Sequence, residues 1–356
     1  MNQAERVEWV DIYKGLCIIS VVIGHSGTDS SIFTYIYLFH MAAFFIISGY
    51  TYSGRKRVFF QYIKSKILNI LLPFFVINTL FIVFYQFIQQ LGYGATFGVA
   101  EMSIIQRIKG LYSLYPVCPE LGGPTWFLLA IFEAECICRI IQEICCFFKV
   151  EKLYMFFGCL VGVWGYFLSI NCHYLPFTLD LGMLASGFLS LGIIVKEYSL
   201  LLKIPPELGL MLFGSAEVFF GSFYFYNSNP ANWPTRQFPK LYVFVIISIS
   251  GSYLIYRISK AIESNFQLKN IFACIGRYSL TVLMYHFVAF RVIHIFLITV
   301  GEAEVSILQN SPPMGTPEWA WIIYTLGAVV ICVSLGRISK KCKVLDLIIN
   351  GKLRIR

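Results

Sequence analysis

Charge is what this sequence has least of. Only 13% of its 356 residues are Asp, Glu, Lys or Arg, against about 25% in an ordinary soluble domain. That shortage, beside 58% hydrophobic residues, excludes a water-soluble globular fold. A backbone in hydrocarbon must satisfy its own hydrogen bonds, so an all-α, polytopic membrane bundle is expected. The eleven cysteines lack the spacing of a disulfide framework. Most, such as Cys17, Cys138 and Cys332, lie in apolar runs and act as small hydrophobes. Only Cys118 and Cys172 fall in loops expected outside, leaving one bridge open. Nor do cysteines and histidines show metal-ligand spacing, so no metal is expected. The net charge of +9 does not indicate nucleic acid, because the basic residues cluster where apolar runs end. The first apolar run lacks a small-residue cleavage site and reads as a retained span rather than a signal peptide. The longest connecting stretch, residues 92–123, is too short to fold alone. A single transmembrane domain over 1–356, with no appended soluble domain, is therefore expected.

What the sequence does have is long apolar runs. About ten have the length of a membrane helix, near residues 9–27, 33–53, 67–90, 124–147, 153–171, 177–195, 207–226, 241–256, 278–300 and 318–336. With the N-terminus inside, basic residues in loops and tails favour the cytoplasmic side by about five to one, so both termini are expected inside.

Ionisable residues within such runs are costly unless paired or hydrated, and each is a functional candidate. The first span holds Asp11, Lys14 and His25, which fall within about 60° of one another around a helix. Lys14 and His25 stand about 16 Å apart along the axis, so one polar stripe runs from near the cytoplasmic surface into the outer half. The second span, "LFHMAAFFIISGY", carries His40 among residues that water would not solvate. Further along are Glu133, Glu135, Arg139, Asp180, Glu217, His286, Arg291 and His294. Glu135 and Arg139 have the spacing of an i,i+4 ion pair, and His294 is read as a structural histidine.

The runs "VDIYKGLCIISVVIGHS" and "YLFHMAAFFIISGYTY", followed by "KSKILNILLPFFV", resemble the opening of the membrane-bound acyltransferase 3 family, in its fucose-4-O-acetylase-like branch. "GPTWFLLAIF", "GMLASGFLSLGIIVKE" and "YSLTVLMYHF" are similar to its later spans. The family pattern of an aspartate, a basic residue three positions on and a histidine eleven beyond that is met by Asp11, Lys14 and His25. Lys14 stands where many members carry Arg. The resemblance implies a ten-span bundle of a bacterial cytoplasmic (inner) membrane. It would move an acyl group, usually acetyl, from acyl-CoA to a glycan or lipid-linked sugar.

Such a transfer needs a base for the acceptor hydroxyl, and imidazole is the side chain best matched to that step near neutral pH. His25 is the expected base, with His40 orienting it, holding the acceptor or replacing it, and an acyl-histidine relay also open. Arg55, Lys56, Arg57, Lys64 and Lys66 form a basic cluster suited to CoA phosphates, and His286 is a candidate for lining the donor channel. The implied partners are acyl-CoA, the acceptor sugar and the bilayer, with a homo-oligomer left open. Two other classes compete: a proton-coupled transporter or exporter of a polysaccharide or small molecule, and a scaffold subunit that depends on neither histidine. Reporter fusions at Gly94 and Asn229 should give an outer signal and one at Lys152 an inner signal. An inner signal at Asn229 would break the expected topology.

Overall fold

The computed structural model describes residues 7–171, 174–226, 231–310 and 319–350. Cys172 lies outside the described residues, and with it the candidate bridge to Cys118. The described chain is an all-α bundle. Its helices are α1 (Glu8–His25), α2 (Ser30–Tyr37), α3 (His40–Tyr50), α4 (Phe59–Lys66), α5 (Leu72–Gln90), α6 (Ile104–Leu111), α7 (Trp126–Phe147) and α8 (Tyr154–Ile170). They continue as α9 (Leu179–Glu197), α10 (Leu200–Lys203), α11 (Pro206–Tyr226), α12 (Leu241–Glu263), α13 (Phe266–Arg277), α14 (Ser279–Thr299), α15 (Ala320–Ser339) and α16 (Lys343–Asn350).

Seven helical segments among the described residues are long and apolar enough to cross a membrane, which makes this a multi-pass membrane protein. Three more of the ten expected runs form the long helices α1, α7 and α11, which carry acidic or basic residues along their length. Two irregularities were not expected. The second span is broken between α2 and α3, where Phe39 leaves the helical region with φ −137°. The helix through Phe59–Gln90 contains a π-helical turn, Ile67–Leu71, immediately before Pro73. Proline has no amide proton and its ring crowds the carbonyl four residues back, which a wider turn relieves.

Apolar burial gives little preference between helices in lipid, so close backbone contact must hold them together. Along α8, Gly158, Gly162 and Gly165 lie against α9, and a Cβ on Gly162 would overlap Gly187. On the other face of α9, Gly192 meets the Ile46 carbonyl of α3 and Gly49 meets the Leu189 carbonyl. α9 is thereby clamped between α8 and α3. α13, an amphipathic helix outside the expected spans, lies on α1 through a Gly15–Gly276 contact.

Ion pairs gather at one end. Lys269 meets Glu8 at 2.8 Å, Arg55 pairs with Glu197, and Glu263 takes both Lys260 and the Trp9 amide. We call this the basic end. The close approach at Gly192 leaves no room for a branched side chain, so Gly192→Val should give little monodisperse protein in detergent while Gly214→Val, which meets open space, elutes as wild type. Equal yields of the two would show that the α3–α9 contact is looser than described.

Candidate functional site

Two chambers of about 320 Å³ each lie within the bundle, one above the other. The one further from the basic end contains His25 and His40. His25 is the last residue of α1, where the chain turns back through Gly27 (φ +76°) into α2. Asp29 caps α2 by accepting from the Ser31 amide at 2.8 Å, and these amide bonds hold its carboxyl below the ordinary carboxylate range. His40 opens α3 just past the break, and its Nδ1 lies 2.8 Å from the Ile36 carbonyl. A carbonyl oxygen only accepts, so Nδ1 carries the proton and Nε2 keeps its lone pair. Tyr37 stands between the two histidines, its ring centroid 6.2 Å from His25 and 4.8 Å from His40.

A third histidine joins them. His286 of α14 is fully buried with its ring centroid 5.5 Å from that of His25. Its Nδ1 is held by the carbonyls of Val282 and Leu283 at 2.9 and 3.1 Å, while its buried Nε2 has no hydrogen-bond partner. No local pattern announces this meeting, because it arises from α14 packing against α1. His294 lies two turns further along α14, buried edge-on against Tyr324 at 5.2 Å.

The mouth of the histidine chamber is built by α7 and by the connection 231–240. Before α7 comes the turn Glu120–Thr125, which includes Pro124 and is fastened by an Asn78-to-Thr125 hydrogen bond of 2.9 Å. It aims Trp126 and Phe127 into the chamber. In the connection, Asn232 and Gln237 exchange backbone bonds of 2.8 and 3.0 Å. Between them Trp233 is buried against Phe45, Trp126 and Phe238. Arg236 reaches back to Asp180, bidentate at 3.0 and 3.3 Å, with Ser169 also donating to that carboxylate. Asp180 is therefore occupied in holding the roof of the chamber.

The second chamber opens towards the basic end. Lys14, Lys66, Glu135, Ser48, Thr51 and Asn69 line its polar part, and Ile18, Phe44, Leu128, Ile131 and Leu280 its apolar part. Lys66 pairs with Glu135 at 2.6 Å, and Tyr62 also donates to Glu135. The expected Glu135–Arg139 pair is not what forms. Arg139 turns one step further along α7 to Glu143, which is nearer the surface, and also donates to the Arg57 carbonyl at 3.1 Å. Glu135 is left to the neighbouring α4, where Lys66 needs a counter-charge inside the bundle.

The candidate residues thus divide. Lys14 and Lys66 share the second chamber, and Asp11 is buried one turn below Lys14. Arg55 is tied to Glu197, while Arg57 and Lys64 are exposed on the surface. The Lys56 side chain lies outside the described residues. His286, expected along the donor route, has its ring beside that of His25.

Residues 7–337 match a family model described as an acyltransferase domain, that of acyltransferase 3. The chain belongs to the acyltransferase 3 family. A stretch of 145 residues is 30% identical to the nodulation protein NolL of Mesorhizobium japonicum, covering 37% of this chain and 35% of that protein. The match thus spans about a third of that relative's length. No solved structure matches the chain. The protein is accordingly a multi-pass membrane bundle of the acyltransferase 3 family.

In this family member the Asp180–Arg236 pair is buried, with side-chain exposures of 0% and 11%. Removing one member of such a pair strands the other, at about 3–5 kcal/mol. Arg236→Met should therefore lower the thermal midpoint clearly and make the 231–240 connection more susceptible to protease. Unchanged values for both would mean that the pair does not hold the roof.

Proposed function

We propose that this acyltransferase moves an acetyl group from cytoplasmic acyl-CoA to a hydroxyl of a cell-envelope glycan or lipid-linked sugar, across the boundary between the two chambers. One observation carries the reading: a polar, lysine-bearing chamber and a histidine-bearing chamber meet inside one bundle and share four lining residues. A thioester entering from the basic end and a hydroxyl entering from the opposite end would meet beside His25.

The donor side suits an amphipathic arm. Lys14 and Lys66 give cationic and hydrogen-bonding groups near the opening, and the surface residues Arg57 and Lys64 add charge for phosphates. Beyond them the chamber turns apolar, as a thioester end requires. The acceptor side offers Trp126, Tyr37 and Asn232, side chains that combine flat apolar faces with polar groups.

In the transfer, the acceptor oxygen attacks the thioester carbon as its proton passes to His25. The tetrahedral adduct then collapses, the carbon–sulfur bond breaks, and the imidazolium returns the proton to the CoA thiolate. One ester forms, one thiol is released, and no other reactant is needed. His286 presents an Nε2 lone pair beside His25 and can receive its N–H, fixing which His25 nitrogen faces the acceptor. His40, with Nδ1 bonded to Ile36, presents Nε2 as a second acceptor for the substrate hydroxyl.

His25→Ala should cut turnover by about 10² to 10⁴ with acyl-CoA binding retained. His40→Ala should also be severe, and the double variant little worse than the worse single one, because residues that act as a unit are not additive. His286→Ala should lower kcat and leave the KM for acyl-CoA nearly unchanged, and His294→Ala should be mild. The assay is label transfer from radiolabelled acetyl-CoA to envelope glycans by the purified, reconstituted protein. A stable His25→Ala protein that still acetylates would remove the mechanism.

A further inference from the structure

The four residues common to both chambers are Val21, Met41, Phe127 and Leu283. They come from α1, α3, α7 and α14, all are apolar, and each is at most 8% exposed. Each of the three histidines has one of them on its basic-end side. Val21 is one turn before His25, Leu283 is three residues before His286, and Met41 follows His40 on a helix that runs the opposite way. Together they form a collar from one residue to about one turn, roughly 1.5 to 6 Å, below the histidines.

We infer that this collar selects the donor by the cross-section of its acyl group, admitting acetyl and straight chains and excluding chains branched next to the carbonyl, with Met41 as the adjustable wall. The inference rests on the proposed direction of transfer. For the carbonyl carbon to come level with His25, whatever is attached to it must first pass the collar. A methyl group and a linear chain entering end-on have the same width. A branch at the second carbon adds a methyl group at the narrowest point.

The walls differ in stiffness. Phe127 is wedged against Phe45 and Phe44, with ring centroids 5.0 and 5.6 Å away. Val21 is β-branched and limited at χ1. Met41 has an unbranched side chain with three rotatable bonds and can fold aside. It also lies next to the helix break before His40, where the backbone is not held by a continuous ladder. Shortening Met41 should therefore widen the passage most, and Leu283 next.

The test uses the full-length reconstituted protein with envelope glycans and three donors: acetyl-CoA, n-butyryl-CoA and isobutyryl-CoA. The two butyryl groups have the same atoms and differ only in branching. Wild type should transfer isobutyryl much more slowly than n-butyryl. Met41→Ala should raise the isobutyryl-to-acetyl ratio by about tenfold or more, the size of a methyl-group discrimination, without a matching rise for n-butyryl. Leu283→Ala should act in the same direction, and the lipid-facing Leu326→Ala should not. Because each ratio is taken within one preparation, a partial loss of folded protein cancels. Val21→Phe should depress transfer of all three acyl groups while CoA binding persists.

Equal isobutyryl and n-butyryl transfer by wild type would overturn the collar, as would unchanged ratios in both alanine variants. A parallel rise for n-butyryl would overturn it too, by showing a gauge of bulk rather than branching. If wild type released thiol from none of the donors in the presence of glycan, the acyl-CoA reading would fall and the collar with it. Acetyl transfer with a collar-independent ratio removes the collar alone.

Discussion

A polar side chain has nowhere to go in hydrocarbon except towards protein or trapped water, and the interior of this bundle is arranged by that constraint. Polar residues on α1, α3, α4, α7 and α14 turn inwards, and where they meet the helices cannot close fully. The two chambers are the result. Lys14 and His25 open one end each of the same stripe on α1. Lys66 is drawn to Glu135, and the π-helical turn that follows brings Asn69 and Ile70 into the lining. Apolar residues fill the interval, so the collar is what remains where no polar group intervenes.

The glycine contacts are the other half of the arrangement. With Gly49 and Gly192 holding α3 against α9, and glycines of α8 on the opposite face, these helices meet backbone to backbone at those points. The two chambers lie on the side facing α1, α7 and α14. Small residues in one sector and polar residues in another therefore act together: the first gives cohesion that lipid does not supply, and the second prevents the core from collapsing over the site.

Much of this was legible in the sequence. Apolar run lengths gave an all-α membrane bundle, and the spacing of Asp11, Lys14 and His25 gave the stripe on α1. A histidine within the apolar run of the second span marked His40. What was not legible depends on contacts between segments far apart in the chain. Nothing local to "LMYHF" says that His286 will face His25. The i,i+4 rule offered Arg139 two carboxylates, Glu135 and Glu143, and only the approach of Lys66 from α4 decides between them. The break at Phe39 was hidden because no proline or glycine marks it. The roof was hidden as well, since Asp180 reads as a buried charge until Arg236 is brought to it from 56 residues away.

The break in the second span bears on the chemistry as much as on the fold. Discontinuous helices in membrane bundles often mark transport sites, where freed backbone groups meet a solute. Here the carbonyl nearest the break serves a side chain of the protein itself: Ile36 accepts from His40 Nδ1. In an unbroken helix that carbonyl would be directed along the axis to the amide four residues on, and the imidazole would have less claim on it. Interrupting the ladder thus sets one tautomer of His40, as the Val282 and Leu283 carbonyls set that of His286. Both rings then keep Nε2 as an acceptor. The backbone group freed by the break is thus taken up by a ring of the protein and is not left open to a solute. The feature that could have argued for a carrier is therefore accounted for by the side chains beside it.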